Sequence, residues 1–370
     1  MPSILTLPRE GFTVDYVARF LRYTLLNPVI TLPVVLALYL EQLYLGSSSI
    51  IPDLPEIARQ AKTPAAFLAC FSVILSLTDY LNRGFNNNWV GKSNWQWAFE
   101  IVVITGGSSG IGATIAQQLL AKNSQTTIVI IDYVPLTWTP PVGSRTRFYR
   151  CDLSDTAAIR TTCATIKKEV GNPSVLVNNA GLSRGASIMD GSYADNEITI
   201  KTNLLAPFLL IKEFLPEMVR KNHGHIVNVS SMSAIMPPGK LADYAATKAG
   251  LIAMHEALQL EIEHTHNAPK VRQTLAILSF TLTPLFKGET RQSAFLFPLL
   301  HVESVSEAIV EALYSGYGKT IYMPGIMRYV SSLRGGPEWV QRIIRQGTEK
   351  LGVDFKGRQK IDAKTGKLCQ

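Results

Sequence analysis

The chain of 370 residues is long enough to bury a full hydrophobic core and allows one to three domains. Hydrophobic residues make up 46% of it and charged residues only 17%, so it is more apolar than an average soluble chain. The net charge of +8 would suit nucleic acid or an anionic membrane, but no Lys/Arg run interleaved with aromatic residues occurs, which argues against a nucleic-acid partner. The cysteines and histidines show no metal-ligand or disulfide spacing, which predicts no metal site and a reducing compartment.

Most of the apolar excess lies near the N-terminus, in two stretches at residues 23–45 and 64–77. The first stretch reaches the roughly 20 residues of a membrane-spanning helix only if Asn27, Pro28 and Pro33 are included, and the second is short. Three interpretations stay open: a membrane hairpin that leaves both ends on one side, helices lying in an interface or on a lipid droplet, and ordinary core helices. A secretory signal fits poorly, because the apolar run lies deep in the chain and no small-residue cleavage site follows it.

The segment at residues 82–99 is predicted to be a linker. Its three tryptophans either rest at a membrane interface or pack on the following domain. They are Trp89, Trp95 and Trp97. Basic residues flank both apolar stretches, which is compatible with two cytosolic flanks. The tail after residue 350 is also basic, and it is either solvated or in contact with an anionic leaflet.

A short apolar strand at residues 101–104 leads into the glycine-rich segment 105–112 and then into a helical pattern. This is the context of a dinucleotide-binding turn, because glycines allow a sharp turn and a close approach to a pyrophosphate. The N-terminus of the following helix then presents free N–H groups and its positive dipole end to that anion. The residues predicted to bind a cofactor here are Gly106, Ser108, Ser109, Gly110, Ile111 and Gly112.

A second buried strand, at residues 126–131, ends in Asp132. A carboxylate at this place can accept hydrogen bonds from the adenosine ribose hydroxyls and would repel a 2′-phosphate. Because no Arg or Lys lies in the glycine turn, the sequence favours NAD(H) over NADP(H). Without the glycine turn upstream, Asp132 would be interpreted as an ordinary turn residue at a strand end.

From about residue 100 the pattern alternates between strands and helices. This alternation predicts an α/β fold with a parallel, doubly wound Rossmann sheet of about seven strands, whose ligand binds at the carboxyl ends of the strands. The predicted strands are 101–105, 126–131, 146–149, 174–177, 225–229, 272–278 and 320–323. The predicted helices are 110–122, 154–170, 194–220, 242–263 and 303–315.

Two further strand ends carry residues suited to a cofactor. Asp152 follows the third predicted strand, next to Leu153, and could meet the amino group of an adenine ring. Alternatively, Asp152 or Ser154 caps the next helix. The fourth strand is followed by small residues that let the backbone approach a cofactor and by Asn side chains that can tie neighbouring strand ends together. These residues are Asn178, Asn179, Ala180 and Gly181.

Tyr244 and Lys248 lie four residues apart in a predicted helix and so share one face of it. An ammonium group beside a phenol, with a positive nicotinamide ring nearby, would lower the pKa of Tyr244 and let it exchange a proton with an alcohol or carbonyl oxygen near neutral pH. Ser231, at the end of the preceding strand, could hydrogen-bond the same oxygen. On its own, the Tyr-x-x-x-Lys spacing is more often an ordinary exposed helix pair.

Together these motifs resemble the short-chain dehydrogenase/reductase family of the extended-Rossmann type, over about residues 98–325. The resemblance implies a tetrad in which Tyr244 is the general acid/base and Ser231 polarises the substrate oxygen. Lys248 would hold the nicotinamide ribose and tune Tyr244, and Asn203 would support a water that relays protons. The cofactor would carry the hydride.

One segment departs from the family pattern. The family usually has Pro-Gly after the sixth strand and then a Thr that contacts the cofactor carboxamide, whereas residues 278–284 read Leu-Ser-Phe-Thr-Leu-Thr-Pro. Thr283 keeps the place of that Thr. The apolar segment at 285–300 covers the substrate in this family and predicts a lipophilic substrate, although core packing is an alternative. Apolar residues near the catalytic Ser support the same prediction: Met232, Ile235 and Met236.

Residues 321–324 and 336–339, with the N-terminal apolar region, resemble the membrane-associated retinol and 17β-hydroxysteroid dehydrogenase branch. We therefore expect an oxidoreductase that transfers a hydride between a nicotinamide cofactor, preferably NAD, and an alcohol, ketone or aldehyde of the retinoid, steroid or long-chain lipid class. The alternatives are an NADPH-dependent ketoreductase of lipid or secondary metabolism and a non-catalytic, membrane-bound NAD-binding scaffold.

Three domains follow from these patterns: an anchor region and linker at 1–97, a Rossmann catalytic domain at 98–325, and a C-terminal extension with the basic tail at 326–370. The expected partners are a lipophilic substrate and a membrane or lipid droplet surface. The resemblance also implies a homodimer through the helices near 200–220 and 242–263. We expect the endoplasmic reticulum or a lipid droplet as the location, with the catalytic domain in the cytosol.

Overall fold

The structure, a computed structural model, describes residues 6–44, 54–285 and 292–348. These residues separate into two units, one up to Phe85 and one from Asn86 onward. The predicted domain limits after residues 97 and 325 stay predictions.

Apart from residue 45, which lies outside the described ranges, both apolar stretches predicted near the N-terminus lie largely in helices of the first unit. Its helices are α1 (Val14–Tyr23), α2 (Pro28–Tyr44) and α3 (Leu54–Phe85). Thr31 on α2 and Ser72 on α3 share a buried hydrogen bond of 2.8 Å between their hydroxyls. Arg22 on α1 forms an ion pair with Asp79 on α3. These two contacts connect α1 and α2 to α3 at defined positions.

Residues Gln60–Phe85 of α3 form a helix that is long and apolar enough to cross a membrane, and most of it is exposed. α1 and the Pro28–Leu40 part of α2 meet the same criteria only together, as a pair bent by 50°. Large apolar side chains such as Val29 and Phe67 are exposed. Among the described residues, the first unit therefore carries one helix suited to anchoring in a membrane, or two if the bent pair acts as one span.

Seven parallel strands form the sheet of the second unit, in the order β3-β2-β1-β4-β5-β6-β7. The strands are β1 (Ile101–Thr105), β2 (Thr127–Asp132), β3 (Thr146–Arg150), β4 (Val175–Asn178), β5 (Gly224–Ser231), β6 (Val271–Leu278) and β7 (Lys319–Met323). Each corresponds to a predicted strand, so the predicted doubly wound Rossmann sheet is confirmed. The strand order reverses between β1 and β4, which opens a crevice at their carboxyl ends.

Helices cover both faces of this sheet. The described α-helices of the unit are α4 (Gly110–Lys122), α5 (Thr156–Glu169), α6 (Tyr193–Ile200), α7 (Ala206–Lys221), α8 (Ala242–Leu260), α9 (Val302–Ser315), α10 (Met327–Ser332) and α11 (Glu338–Thr348). Because side chains alternate along a strand, Val102 and Ile104 pack with α4 and α9 while Val103 packs with α5, α7 and α8 on the other face. Two buried faces explain why the central strands are continuous apolar runs.

The helices differ from the prediction in two places. The helix predicted at 194–220 is interrupted by a π-helical turn, Lys201–Leu205, that separates α6 from α7. Such a turn inserts one extra residue into a helix and is frequent at functional sites. The two helices α10 and α11 in the C-terminal extension were not predicted.

Candidate active site

The glycine turn between β1 and α4 makes approaches that only glycine allows. Gly106 has a φ of +66°, and a Cβ there would lie 2.8 Å from the Cα of Ala180. A Cβ on Gly112 would lie 2.4 Å from the carbonyl oxygen of Gly106. α4 begins at Gly110, and its first N–H groups have no acceptor within the helix. This cradle, bare of side chains at a helix N-terminus, fits the pyrophosphate of a dinucleotide.

Asp132, at the end of β2, is bound to the glycine turn. Its carboxylate accepts hydrogen bonds from the N–H groups of Ser108 at 2.9 Å and Val134 at 3.2 Å. Since a carboxylate offers about four acceptor positions, about two are left for ribose hydroxyls. Ser108 was predicted to bind the cofactor. Its hydroxyl already donates a hydrogen bond within the protein, to the Val134 carbonyl at 2.7 Å.

Two neighbours of the turn were missed by sequence analysis. The indole N–H of Trp138 donates to the carbonyl of Gly107 at 3.0 Å. Arg150 pairs with Asp132 in the register of β2 and β3, and its Nε donates to the carbonyl of Tyr133 at 3.2 Å. Both contacts join residues that are distant in the chain, so no local motif indicates them. Arg150 brings a positive charge to the edge of the proposed ribose site.

Asp152 follows β3 as predicted, and Leu153 beside it is buried in the core. The Asp152 Oδ1 accepts hydrogen bonds from the N–H group of Ser154 at 2.9 Å and from its hydroxyl at 2.7 Å. The residue that caps α5 is Asp155, whose carboxylate accepts from two N–H groups of the first turn. The alternative that Asp152 or Ser154 caps this helix is therefore wrong, because Asp155 lies directly before the helix. Contacts of Asp152 and Leu153 with a cofactor stay predictions.

The Asn-Asn-Ala-Gly segment after β4 ties neighbouring strand ends together, as its Asn side chains suggest. Asn178 Nδ2 donates to Asn228 Oδ1 on β5 at 2.9 Å. Asn179 Nδ2 donates to the carbonyls of Thr105 at 3.0 Å and Gly106 at 3.1 Å. These hydrogen bonds connect the end of β4 to the glycine turn on one side and to β5 on the other.

Ser231, Tyr244 and Lys248 come together in one pocket at the end of β5. Tyr244 and Ser231 line the same side of it, close enough for Ser231 to lower the pKa of the Tyr244 phenol. Lys248 Nζ donates to the Val229 carbonyl at 2.8 Å and lies 5.7 Å from the centre of the Tyr244 ring. The Ser230 hydroxyl donates to the Lys248 carbonyl at 2.9 Å, which fastens α8 to β5. The predicted helix face is therefore directed into the pocket and is not an exposed surface pair.

Burial shifts the pKa values of Tyr244 and Lys248, the two titratable groups of this pocket, in opposite directions. Desolvation raises the pKa of the Tyr244 phenol, and the hydrogen bond with Ser231 lowers it by a smaller amount. Desolvation also lowers the pKa of the Lys248 ammonium group, to about 8. The expectation that Lys248 and a nearby nicotinamide ring together lower the pKa of Tyr244 stays a prediction, and in the protein alone burial has the largest effect on this pKa.

Asn203 is buried in the π-helical turn and holds the loop that follows β4. Its Oδ1 accepts from the N–H group of Leu182 at 2.8 Å, and its Nδ2 donates to the carbonyl of the same residue at 2.7 Å. A Cβ on Gly181 would lie 3.4 Å from Lys248 Nζ and 3.6 Å from Asn203 Oδ1, so these two side chains approach the same point. The structure thus brings all four predicted tetrad residues together. A water relay at Asn203 stays a prediction.

The loop after β6 keeps Thr283 beside the glycine turn although the Pro-Gly pair is missing. A Cβ on Gly110 would lie 3.5 Å from the Cβ of Thr283. Ile111 and Thr283 both line the pocket. Ser109, the residue before α4, is half-buried. An isolated bridge between Thr281 and Leu300 holds the loop in place.

Apolar walls enclose the rest of the pocket. Of the predicted apolar residues, Met232 and Met236 line it, whereas Ile235 lines a neighbouring cavity beneath α11. Leu285 of the predicted lid lines the pocket, but residues 286–291 lie outside the described ranges. Further apolar lining comes from Pro238, Leu241, Leu278 and Phe280.

Six polar residues of the pocket were not predicted. Three are buried serines whose hydroxyls find no hydrogen-bond partner in the described part of the chain: Ser183, Ser233 and Ser279. Two more, Ser230 and Thr281, donate to backbone carbonyls, and the sixth is Thr348, the last residue of α11. The sequence does give one indication that Ser279 lies in the pocket, because it directly follows β6 just as Ser231 ends β5. Nothing local indicates that α11 returns to the pocket.

Comparison with known proteins agrees with these motifs. The profile of the family described as short chain dehydrogenase matches residues 100–294. Dehydrogenase RED2 of Cochliobolus heterostrophus is 36% identical over 200 residues, which cover 54% of this chain and 75% of that protein. Epidermal retinol dehydrogenase 2 of Homo sapiens is 30% identical over 242 residues, which cover 64% of this chain and 78% of that protein. Estradiol 17-beta-dehydrogenase 11 of Rattus norvegicus is 29% identical over 278 residues, which cover 74% of this chain and 91% of that protein. The resemblance to the family and to its retinol and 17β-hydroxysteroid dehydrogenase branch is confirmed.

Proposed function

Because the chain belongs to the short-chain dehydrogenase/reductase family and is an NAD(P)-dependent oxidoreductase, we propose that it interconverts an alcohol and its carbonyl compound on a lipophilic molecule, with NAD(H) preferred. The observation that carries this proposal is that Tyr244, Ser231 and Lys248 line one largely apolar pocket, with Lys248 Nζ 5.7 Å from the centre of the Tyr244 ring. When bound, the nicotinamide ring accepts or supplies the hydride.

Tyr244 is the general acid/base of the proposed reaction. In alcohol oxidation its phenolate oxygen takes the hydroxyl proton, and in carbonyl reduction its phenol returns that proton. Ser231 donates a hydrogen bond to the same substrate oxygen and positions it against Tyr244. Lys248 contacts the nicotinamide ribose and carries positive charge next to the phenol. Asn203 supports the route by which the proton reaches solvent near Lys248.

The glycine turn and Asp132 support the cofactor proposal. The turn would hold the pyrophosphate at the N-terminus of α4. Asp132 would accept from the ribose hydroxyls, and its negative charge would disfavour a 2′-phosphate. Asn179, Thr283 and the backbone of Ala180 and Gly181 would line the nicotinamide side. Arg150 supports the alternative, an NADPH-dependent ketoreductase, because a guanidinium at this strand end can pair with a 2′-phosphate.

The apolar walls support a retinoid, steroid or long-chain lipid as substrate. Two relatives, named for retinol and for estradiol, support the same class. The exposed apolar helix α3 supports attachment to the endoplasmic reticulum or a lipid droplet, with the catalytic unit in the cytosol. A homodimer is supported by exposed apolar side chains on α6 to α8: Ile200, Phe208 and Leu260.

The test uses membranes that contain the full-length protein. NADH formation from NAD is followed with retinol, hydroxysteroids and long-chain secondary alcohols, for the wild type and for Tyr244→Phe. Removal of a general acid/base typically costs about 10²–10⁴-fold in rate, so we expect turnover to be lost in the variant while NADH binding is kept.

Other results would redirect the proposal. Carbonyl reduction with NADPH, without turnover from NAD, would establish the ketoreductase and overturn the cofactor preference. Tight NAD binding without turnover of either direction across the panel would favour the non-catalytic scaffold. Equal turnover by wild type and Tyr244→Phe would remove Tyr244 from the mechanism.

A further inference from the structure

The C-terminal helix α11 presents two apolar side chains to solvent. Trp339 is 67% exposed and Ile343 is 60% exposed. They lie four residues apart and therefore on the same face of the helix. Isolated exposed apolar residues need no explanation. A tryptophan and an isoleucine that are neighbours on one helix face form an apolar patch, which is of the kind that contacts a membrane or another protein.

A neighbouring side of α11 faces the protein. Ile344 lines a small cavity together with Ile235 and Met236, which follow the catalytic strand end. Thr348, one turn further on, lines the catalytic pocket itself. Arg334, before α11, donates to the carbonyl of Ala234 at 2.7 Å and so fixes this segment to the substrate side. The rest of the protein thus covers only part of the apolar face of α11, and Trp339 and Ile343 lie on the uncovered part.

The charges next to the patch are mostly positive. Residues 326–348 contain four arginines against one glutamate, and two of the arginines, Arg342 and Arg345, are exposed on α11. The sequence that follows the helix is basic as well. A short helix with Trp and Ile on one side and Arg on the other is the pattern of a helix that lies in a bilayer interface. Trp favours the headgroup level, and Arg pairs with lipid phosphates.

We propose that α11 docks on the surface of an anionic phospholipid bilayer, with Trp339 and Ile343 inserted and Arg342 and Arg345 at the headgroups. A second copy of this chain is the less favoured occupant, because a two-fold interface would place each arginine pair against its own copy. The bilayer contact is additional to the N-terminal anchor. If the proposed function is correct, the same helix separates the substrate pocket from the bilayer in which a lipophilic substrate dissolves.

The test follows tryptophan fluorescence of the full-length protein in vesicles of phosphatidylcholine and phosphatidylserine whose acyl chains carry bromine. Bromine quenches only indoles that reach the acyl region. We expect Trp339→Phe to lose a quenched component that the wild type shows, and Ile343→Ser to reduce it. Trp138→Phe is the matched control, because this indole is held by the Gly107 carbonyl and its loss should leave the quenched component unchanged.

A second arm tests the charges. Arg342→Gln with Arg345→Gln should lower the quenching of Trp339 in vesicles that contain phosphatidylserine and leave it unchanged in pure phosphatidylcholine. Glu338→Gln should act in the opposite direction. The proposal is overturned if wild type and Trp339→Phe show the same quenched component, which is also the result expected if a second copy or another protein covers the patch. None of these readouts requires turnover, so failure of the proposed reaction would leave this test valid.

Discussion

Lys248 Nζ lies 5.7 Å from the centre of the Tyr244 ring, one helical turn further along α8. Lys248 is buried and Tyr244 is half-buried, and desolvation moves the pKa of the phenol up and that of the ammonium group down, to about 8. The two pKa values, which lie close together for a free tyrosine and a free lysine, are thus moved apart, and that of the ammonium group becomes the lower one. In the protein alone, burial therefore favours the protonated phenol, and the positive charge of a bound nicotinamide ring would favour its deprotonation.

The first prediction concerns the stability cost of Lys248. Its native pKa of about 8 lies below the unfolded value of about 10.4, so the unfolded state binds more protons between these two pH values. The free energy of unfolding of the wild type therefore rises with pH across this window. Below it the full penalty is present, about 3 kcal/mol, partly offset by about 1 kcal/mol from the hydrogen bond to Val229. We expect Lys248→Met to be more stable than the wild type at pH 7 and to lose that advantage towards pH 10.

Denaturant unfolding of the solubilised protein at several pH values measures this difference. Lys122→Met is the matched control, because Lys122 also lies near a tyrosine ring, 5.2 Å from that of Tyr314, but is exposed at the end of α4. It should show no gain that depends on pH. A Lys248→Met variant that is less stable than the wild type at pH 7 would contradict the prediction.

The second prediction concerns the choice of cofactor. Asp132 and Arg150 pair in register at the ends of β2 and β3 and carry opposite charges. We expect Asp132→Asn to tighten NADP(H) binding relative to NAD(H) by about tenfold, equivalent to ~1.4 kcal/mol, because the repulsion of the 2′-phosphate is removed. The ratio of the two dissociation constants is the readout, since it cancels any general loosening of the turn. Adding Arg150→Gln should reverse the gain. A ratio that stays constant in both variants would mean that neither side chain meets the 2′ position.

Local patterns were sufficient for the sheet and most of the tetrad. Glycine spacing, apolar strand runs and the Tyr-x-x-x-Lys repeat are short-range signals, and all seven predicted strands appear in the structure. One failure is local: the cap of α5 is Asp155 and not Asp152 or Ser154, because cap choice depends on where the first turn begins. The other failures involve contacts between distant segments. The approach of Thr348 to the pocket follows from tertiary packing of α11, for which the sequence has no motif.

The third prediction separates two roles of Asn203. Its amide holds both backbone groups of Leu182, at 2.8 and 2.7 Å. We expect Asn203→Ala to lower the free energy of unfolding by about 2 kcal/mol, because two buried backbone groups lose their partner. The dissociation constant of NADH should rise as well, because the loop after Gly181 is released. Asn203→Asp keeps the acceptor for the Leu182 N–H group. Its stability and its dissociation constant for NADH should therefore lie between those of the wild type and of Asn203→Ala.

Titration of NADH and denaturant unfolding give these values, and kcat is measured alongside. A purely catalytic relay would lower kcat while leaving both the dissociation constant and the stability unchanged. That result would show that the hydrogen bonds to Leu182 contribute little to holding the loop.

The fourth prediction compares two buried serines of the pocket that differ in one respect. The Ser230 hydroxyl donates to the Lys248 carbonyl at 2.9 Å, whereas the Ser279 hydroxyl finds no partner among the described residues. Replacing a bonded hydroxyl costs about 1 kcal/mol of stability, but removing an unpaired buried one costs little or is favourable. We expect Ser230→Ala to destabilise the protein and Ser279→Ala to leave its unfolding nearly unchanged.

The same comparison tests whether the pocket binds its ligands through Ser279. A hydroxyl buried without a partner is available to a polar group of the cofactor or substrate, at the place where the family's Pro-Gly pair is missing. Loss of one such hydrogen bond should raise the dissociation constant of NADH or the KM of the substrate by about fivefold, equivalent to ~1 kcal/mol. If Ser279→Ala changes neither constant, the hydroxyl meets no polar group of the cofactor or the substrate. If it lowers stability as much as Ser230→Ala does, Ser279 has a partner in the folded protein.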